Sequence, residues 1–161
     1  ALLSPGGVDL GGRGRRNEQH AVQVSRGDPG DAEGRQMAAM SKGPALSSAA
    51  ALENLVAYLE TLPDKSSTPT VEGDVARGKN LYATCVSCHG EAAQGLEIMA
   101  APRLAGQSDW YLVNQLQNFA LGKRGYAPSD HGGRQMKAMM ATLPGQSEYR
   151  DVVAYINTLS P

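Results

Sequence analysis

The chain has 161 residues, enough for one ordinary domain or two very small ones. Its hydrophobic content of 41% allows a packed core, and its formal net charge of −1 argues against nucleic acid or an anionic membrane as a partner. No run approaches the roughly 18–20 apolar residues that a membrane span needs. The chain opens without a basic segment followed by a long apolar stretch, so we expect a mature, already processed protein.

The first elements in chain order are an irregular segment, a helix and a linker. Residues 1–34 are rich in Gly and Arg and lack apolar periodicity, which is typical of irregular structure. A helix is predicted after Ser48, because apolar residues then recur at helical spacing until Pro63 ends the run. These apolar residues are Leu52, Leu55, Val56, Leu59 and Leu62. Residues 63–73 are predicted to be a linker.

Residues 74–161 are predicted to form one all-α domain with three amphipathic helices. The first runs from near Asp74 to Cys85. The second follows Ser108, a suitable N-cap, and its inward face is expected to carry Trp110, Val113, Leu116 and either Phe119 or Ala120. The third covers about 147–159, and its inward residues are expected to be Tyr149, Val152, Val153, Ile156 and Leu159.

Two sequence blocks occur twice, in the same order. Residues 34–40 read GRQMAAM and residues 133–139 read GRQMKAM, while residues 55–62 read LVAYLETL and residues 152–159 read VVAYINTL. We therefore interpret residues 35–62 as a remnant of a first copy of the domain at 74–161. That copy has no counterpart of the Cys-containing segment, either because it lost this segment or because the chain is incomplete at its N-terminus.

The two cysteines of the chain lie in the motif Cys85-Val86-Ser87-Cys88-His89, the C-x-x-C-H signature of c-type haem attachment. Two thiols at this spacing reach the two vinyl groups of one porphyrin, and the adjacent imidazole becomes a ligand of the iron. Such a cofactor would also supply apolar bulk to a chain with only 5% aromatic residues.

Zinc and thiol-redox chemistry are the alternatives for a C-x-x-C pair. A zinc site needs further ligands, and neither His20 nor His131 has a partner at ligand spacing. A thioredoxin-type motif needs βαβ surroundings, which the helical pattern does not provide. The sequence therefore predicts one covalent haem c. His131 is expected to be a solvated loop residue and His20 to have no functional role.

A methionine is the expected second axial ligand, since a thioether raises the reduction potential of the iron. Four methionines follow the motif, namely Met99, Met136, Met139 and Met140. The repeat favours Met136 and Met139, which correspond to Met37 and Met40, but it does not choose between them.

The segment 78–159 resembles class I cytochromes c, and most closely one domain of the di-haem cytochrome c4 family. The similar stretches are GxxLYxxCxxCHG (78–90), APRLAGQ (101–107), WYLVNQLQNFALGKRG (110–125), MxxM (136–139) and DVVAYI (151–156). In that family the first Met of MxxMxxxL is the axial ligand, which implies Met136, with Leu143 closing the pattern. An apparent one-residue insertion in LPGQSE keeps Met139 as the alternative.

The resemblance also implies roles for neighbouring residues. The carbonyl of Pro102 is expected to accept a hydrogen bond from the imidazole of His89. Gly78 and Tyr82 are expected to pack against Tyr155 where the first and last helices cross. Trp110 and Tyr111 are expected to line the haem pocket or the core.

The resulting functional prediction is a periplasmic carrier of single electrons that docks transiently with a reductase and an oxidase and has no catalytic activity of its own. A haem c subunit bound permanently in a larger respiratory or dehydrogenase complex is the alternative. A third possibility is a ligand-binding or peroxidatic haem protein with an open iron site. The chain departs from the cytochrome c4 pattern by having one complete domain and only part of another.

Overall fold

The computed structural model of the chain describes residues 35–36, 39–40, 42–63 and 68–159. Throughout this part of the chain the regular structure is helical, and strand-like pairing is limited to one isolated bridge. The α-helices are α1 (Ala49–Thr61), α2 (Val75–Tyr82), α3 (Val86–His89), α4 (Asp109–Ala120), α5 (His131–Met139) and α6 (Gln146–Ile156). Short 3-10 helices cover Pro44–Leu46, Glu97–Met99 and Met140–Thr142. No described helix is long and apolar enough to cross a bilayer.

The crossing of α2 and α6 is the main packing contact of residues 68–159. A Cβ atom on Gly78 would lie 1.9 Å from the carbonyl oxygen of Asp151, so only glycine allows the two backbones to approach this closely. One turn further along, the ring centroid of Tyr82 lies 5.5 Å from that of Tyr155. The expected packing of Gly78 and Tyr82 against Tyr155 is therefore confirmed.

Polar groups fix the beginning of α2 against α6. The carboxylate of Asp151 accepts a hydrogen bond of 2.8 Å from the backbone N–H of Asp74. Arg77 forms ion pairs with Glu148 and, at 3.2 Å, with Asp151. Helix α2 ends at Tyr82, before the predicted end at Cys85, because the chain turns there and starts the separate helix α3.

Helix α4 contacts α6, and its inward face agrees with the prediction at Val113, Leu116 and Phe119 but not at Trp110. Leu112 and Phe119 are buried, whereas Trp110 is 58% exposed and lies outside the core. Ser108 stands at the N-cap position without a side-chain capping bond. Instead, the buried carboxylate of Asp109 accepts hydrogen bonds from the backbone N–H groups of Thr70, Val71 and Trp110. This carboxylate attaches the segment before α2 to the body of the domain.

Helix α5 was not predicted from the sequence. Its N-cap is Asp130, whose carboxylate accepts a hydrogen bond of 2.8 Å from the backbone N–H of Gly133. The helix approaches the end of α4 closely, since a Cβ atom on Gly125 would lie 2.2 Å from the carbonyl oxygen of Gly133. The glycines that permit this contact also lower helix propensity, which conceals the helix in the sequence. His131, expected in a loop, is the first residue of α5 and is exposed.

Helices α1 and α6 share the repeated sequence but differ in burial. In α6, Val152, Val153 and Ile156 are buried, while Tyr149 joins them in the core. In α1, Leu55 and Leu59 are exposed and Val56 is only partly buried, and Tyr58 is 62% exposed where its counterpart Tyr155 is partly buried. Met37, His20 and the segment 1–34 lie outside the described residues.

Candidate haem site

The two thiols lie one helical turn apart around α3. Cys85 is the N-cap of this helix, and its carbonyl oxygen accepts hydrogen bonds from the N–H groups of Cys88 and His89 at 3.2 and 2.9 Å. Both thiols are partly buried and neither forms a disulfide. The turn thus places two unlinked thiols and one imidazole within five consecutive residues.

The loop that follows α3 is held together by hydrogen bonds to one buried residue. Ala93 is fully buried with a positive φ of 53°, and its carbonyl oxygen accepts hydrogen bonds from the N–H groups of Leu104 and Ala105. A bridge between Leu96 and Ala101 closes the loop further out. These bonds bring Pro102 back to the C-terminal end of α3.

His89 is buried, and its Nδ1 atom lies 2.8 Å from the carbonyl oxygen of Pro102. A carbonyl oxygen can only accept, so Nδ1 must carry the proton and donate. This tautomer makes Nε2 the nitrogen that can bind a metal, and the bond to Pro102 fixes the plane of the ring.

Tyr82 supports the same turn from α2. Its hydroxyl donates a hydrogen bond of 2.7 Å to the carbonyl oxygen of Gly90, immediately after His89. Burial, followed by the nearby Cys85 and Tyr155 side chains, raises the pKa of Tyr82 well above its usual value. The hydroxyl therefore stays protonated and keeps donating at alkaline pH.

The four methionines after the motif occupy different environments. Met136 lies on α5, is partly buried and packs against the hydrophobic core. Met139 is 37% exposed, Met99 is exposed in the loop after α3, and Met140 is buried in the core. Among these four, Met136 combines a place at the edge of the core with partial accessibility, which a ligand of a buried cofactor needs.

The chemistry of the site fits a haem. Partly buried apolar side chains from several elements pack against the core, namely Leu81, Val86, Leu104, Val113, Leu116 and Met136. Burial, partly offset by a hydrogen bond from Thr84, raises the pKa of the Cys85 thiol. Thiols of disulfide oxidoreductases instead have a lowered pKa, so the environment of Cys85 differs from theirs. Within the described ranges, no three His, Cys, Asp or Glu side chains converge as a metal-binding group.

Sequence reasoning missed two residues that build this region. Ala93 carries no motif, although its buried carbonyl positions Pro102. Arg124 was noted only as part of the stretch 110–125 that resembles class I cytochromes c. Its guanidinium carbon lies 4.5 Å from the ring centroid of Phe119. Its spacing from Phe119 gives no helical signal, since the two residues belong to different elements.

Comparison with known proteins adds independent information about this domain. The family model of cytochrome c matches residues 75–160, slightly more than half of the chain. Cytochrome c-554(547) of Halothiobacillus neapolitanus is 40% identical over 91 residues, which are 54% of this chain and 98% of that protein. Cytochrome c4 of Azotobacter vinelandii is 32% identical over 91 residues, which are 55% of this chain and only 42% of that protein.

A solved structure shows that the fold is similar beyond the matched domain. Reduced recombinant cytochrome c4 from Pseudomonas stutzeri aligns with a TM-score of 0.64 at 22% identity, covering 93% of this chain and 83% of the other. Together with the family match, this likeness supports the helical fold class predicted from the sequence. The chain belongs to the cytochrome c family of electron-transfer haem proteins, as a class I c-type cytochrome close to the cytochrome c4 group.

Proposed function

We propose that this chain carries single electrons through one haem c, attached covalently at Cys85 and Cys88, with the iron between His89 and Met136. The observation that carries the proposal is the tautomer of His89. Its Nδ1 atom donates to the carbonyl oxygen of Pro102, so Nε2 is the ring nitrogen that would bind the iron. Two cysteines without a disulfide lie beside it. The haem supplies the one-electron chemistry, and the protein supplies its ligands and surroundings.

The residues around the site have complementary tasks in this proposal. Pro102 orients the imidazole and makes it a better donor, because a hydrogen bond at Nδ1 increases the basicity of Nε2. Met136 contributes a soft, neutral sulfur that stabilises the reduced iron and raises its potential. The apolar side chains of α4 and of the loop after α3 exclude water from the haem. This exclusion keeps the reorganisation energy of electron transfer small.

A carrier needs partners and a compartment, and both follow from the proposed cofactor. We place the protein in the periplasm, docking transiently with a reductase and an oxidase and catalysing no reaction by itself. The positive and negative side chains nearly balance, 15 against 16, so electrostatic steering by net charge is weak. Residues 35–62 are proposed to be a remnant of a first, haemless domain, and residues 74–161 the complete haem domain.

The proposal is tested by counting haems and replacing the two candidate ligands. We expect one covalent haem per chain from intact mass and the reduced pyridine spectrum. Met136→Ala should abolish the Met–iron absorption signature and lower the midpoint potential, whereas Met139→Ala should leave both close to those of the parent protein.

Each alternative gives a different result. Absence of covalent haem would reject the proposal, and two haems per chain would reject the haemless remnant. An unchanged spectrum in Met136→Ala would reject Met136 as the ligand, and loss of the signature in Met139→Ala would assign that role to Met139.

A further inference from the structure

The hydroxyl of Tyr82 begins a series of hydrogen bonds that leads to the imidazole of His89. It donates to the carbonyl oxygen of Gly90 at 2.7 Å, and the same oxygen accepts a second bond of 3.1 Å from the backbone N–H of Ala93. Tyr82 is 1% exposed, so bulk solvent does not compete for its hydroxyl. The hydroxyl and the N–H group of Ala93 therefore share one acceptor, directly after α3.

Ala93 connects this acceptor to Pro102. The carbonyl oxygen of Ala93 accepts hydrogen bonds of 2.8 and 3.0 Å from the N–H groups of Leu104 and Ala105. Pro102 lies two residues before Leu104, and its carbonyl oxygen is 2.8 Å from the Nδ1 atom of His89. The group that accepts the proton of the imidazole is thus held in place from Ala93.

The backbone at the two intermediate residues depends on these contacts. Gly90 and Ala93 have positive φ angles of 80° and 53°, in the left-handed region. An alanine rarely adopts this conformation and keeps it only where the surrounding structure holds it. Ala93 is fully buried, and both its N–H and its carbonyl group are hydrogen-bonded. Removal of the bond from Tyr82 to Gly90 therefore acts on a segment that has little conformational preference of its own to keep it in position.

The ring of Tyr82 is a fixed support for this segment. It packs against the ring of Tyr155 at a centroid distance of 5.5 Å and an interplanar angle of 54°. This contact belongs to the crossing of α2 and α6, where Gly78 allows the two backbones to approach closely. The hydroxyl consequently ties the turn after His89 to the most closely packed part of the domain.

The strength of the bond from His89 to Pro102 affects the redox equilibrium of a bound iron. A hydrogen bond donated by Nδ1 makes Nε2 more basic and hence a better donor to the metal. A better donor stabilises oxidised iron more than reduced iron, because the oxidised ion carries one more positive charge. A weaker bond therefore raises the reduction potential. Entry of water has the opposite effect, since water also stabilises the more highly charged oxidised iron.

We propose that Tyr82 is a positioning residue for the iron ligand His89. Its hydroxyl, acting through Gly90 and Ala93, keeps the carbonyl of Pro102 on the Nδ1 atom and thereby lowers the reduction potential. The inference rests on the proposed function, because it requires a covalent haem whose iron is bound by His89.

The test uses the haem-loaded full chain and two variants. Tyr82→Phe removes the hydroxyl and keeps the ring, while Tyr155→Phe is the matched control that removes the hydroxyl of the ring packed against it. The midpoint potential is measured by spectroscopic redox titration. The proton and nitrogen chemical shifts of the Nδ1–H group of His89 are measured by NMR in the reduced, diamagnetic state, because they report the strength of its hydrogen bond.

We expect Tyr82→Phe to raise the midpoint potential and to move the Nδ1–H proton upfield, whereas Tyr155→Phe leaves both close to those of the parent protein. An unchanged or lowered potential in Tyr82→Phe, or an unchanged Nδ1–H shift, would overturn the proposal. The same changes in Tyr155→Phe would also overturn it, because the effect would then not be specific to the hydroxyl bonded to Gly90.

A variant that keeps the shape of the side chain decides if Tyr82→Phe fails to bind haem. Incorporation of 3-fluorotyrosine at position 82 retains the hydroxyl and makes it a stronger donor, so the potential should fall and the Nδ1–H proton should move downfield. An unchanged or raised potential there overturns the proposal. Failure of the proposed function is recognised separately, since it is already visible in the parent protein as missing covalent haem or a missing Met–iron signature.

Discussion

Asp109 is a buried carboxylate whose role is to attach one segment of the chain to another. Burial by itself opposes its ionisation, but the N–H groups of Thr70, Val71 and Trp110 and the hydroxyl of Thr70 outweigh this effect and lower its pKa. The acceptor therefore stays charged at neutral pH, and charged hydrogen bonds are stronger than neutral ones. Thr70 and Val71 belong to the stretch leading into α2, so Asp109 anchors that stretch to the start of α4.

Replacement of Asp109 by Asn should decrease the free energy of unfolding by about 1–3 kcal/mol at pH 7, because an amide is a weaker acceptor and adds an N–H group that needs a partner. The folded pKa is lowered, so the contribution is complete above the unfolded-chain value of about 3.9 and is lost as the pH falls through the folded value. The difference between parent and variant should shrink over that acidic range. Denaturant unfolding at several pH values measures it.

The control for this experiment is Glu91→Gln, which changes an exposed carboxylate. Exposed substitutions of this kind usually alter stability by less than about 0.5 kcal/mol. A constant difference between the parent protein and Asp109→Asn from neutral to strongly acidic pH would contradict the assigned role of Asp109.

Site residues differ in how well the sequence reveals them. Cys85, Cys88 and His89 form a motif whose spacing follows from the shape of the porphyrin, so the attachment site is predicted without any structure. Pro102 is 13 residues from His89, and only the resemblance to a family suggests the pair. Ala93, which brings Pro102 back to α3, has no side-chain chemistry to signal its role. Backbone hydrogen bonds made by a loop leave little trace in residue identity.

At the level of elements, the close approach of α2 and α6 depends on Gly78. Replacement by Ala would place a Cβ atom 1.9 Å from the carbonyl oxygen of Asp151 and 3.0 Å from the Cβ atom of Tyr155. Backbone atoms cannot rotate away as a flexible side chain can, so the helices must separate. We expect the free energy of unfolding to fall by about 1–3 kcal/mol or more.

The matched control is Gly132→Ala in α5, where an added Cβ atom meets nothing within 4 Å. Alanine is a better helix former than glycine, so this variant should be as stable as the parent protein or more stable by up to about 1 kcal/mol. Denaturant unfolding of both variants makes the comparison. Equal stability of the two variants would show that the crossing tolerates a wider separation.

The elements also show where periodicity misleads. Of the predicted inward face of α4, Val113, Leu116 and Phe119 pack in or against the core, whereas Trp110 is exposed. Leu112, which was not predicted, is buried. Asp109, next to Trp110, is buried although it is an acidic residue, and apolar periodicity gives no sign of this. In α6 the inward residues were predicted correctly from Tyr149 to Ile156, although the buried carboxylate of Asp151 lies among them.

At the level of the whole molecule, the same repeated sequence is buried in α6 and exposed in α1. Ile156 and Leu59 are equivalent in the repeat, but Ile156 is 4% exposed and Leu59 is 42% exposed. Ile156→Ala should decrease the free energy of unfolding by about 2–5 kcal/mol, whereas Leu59→Ala should change it by less than about 1 kcal/mol. Thermal and denaturant unfolding measure both. A comparable loss in Leu59→Ala would mean that α1 belongs to the same cooperative unit as the haem domain.

The contact between α2 and α6 also determines the order of events when the protein is made. The hydrogen bond from Asp74 to Asp151 joins residues 77 positions apart, so the domain cannot close until residue 151 has been synthesised. Cys85 and Cys88 emerge long before α6 exists. On the proposed function, a haem attached at that stage would join an open chain, and the domain would then close around it.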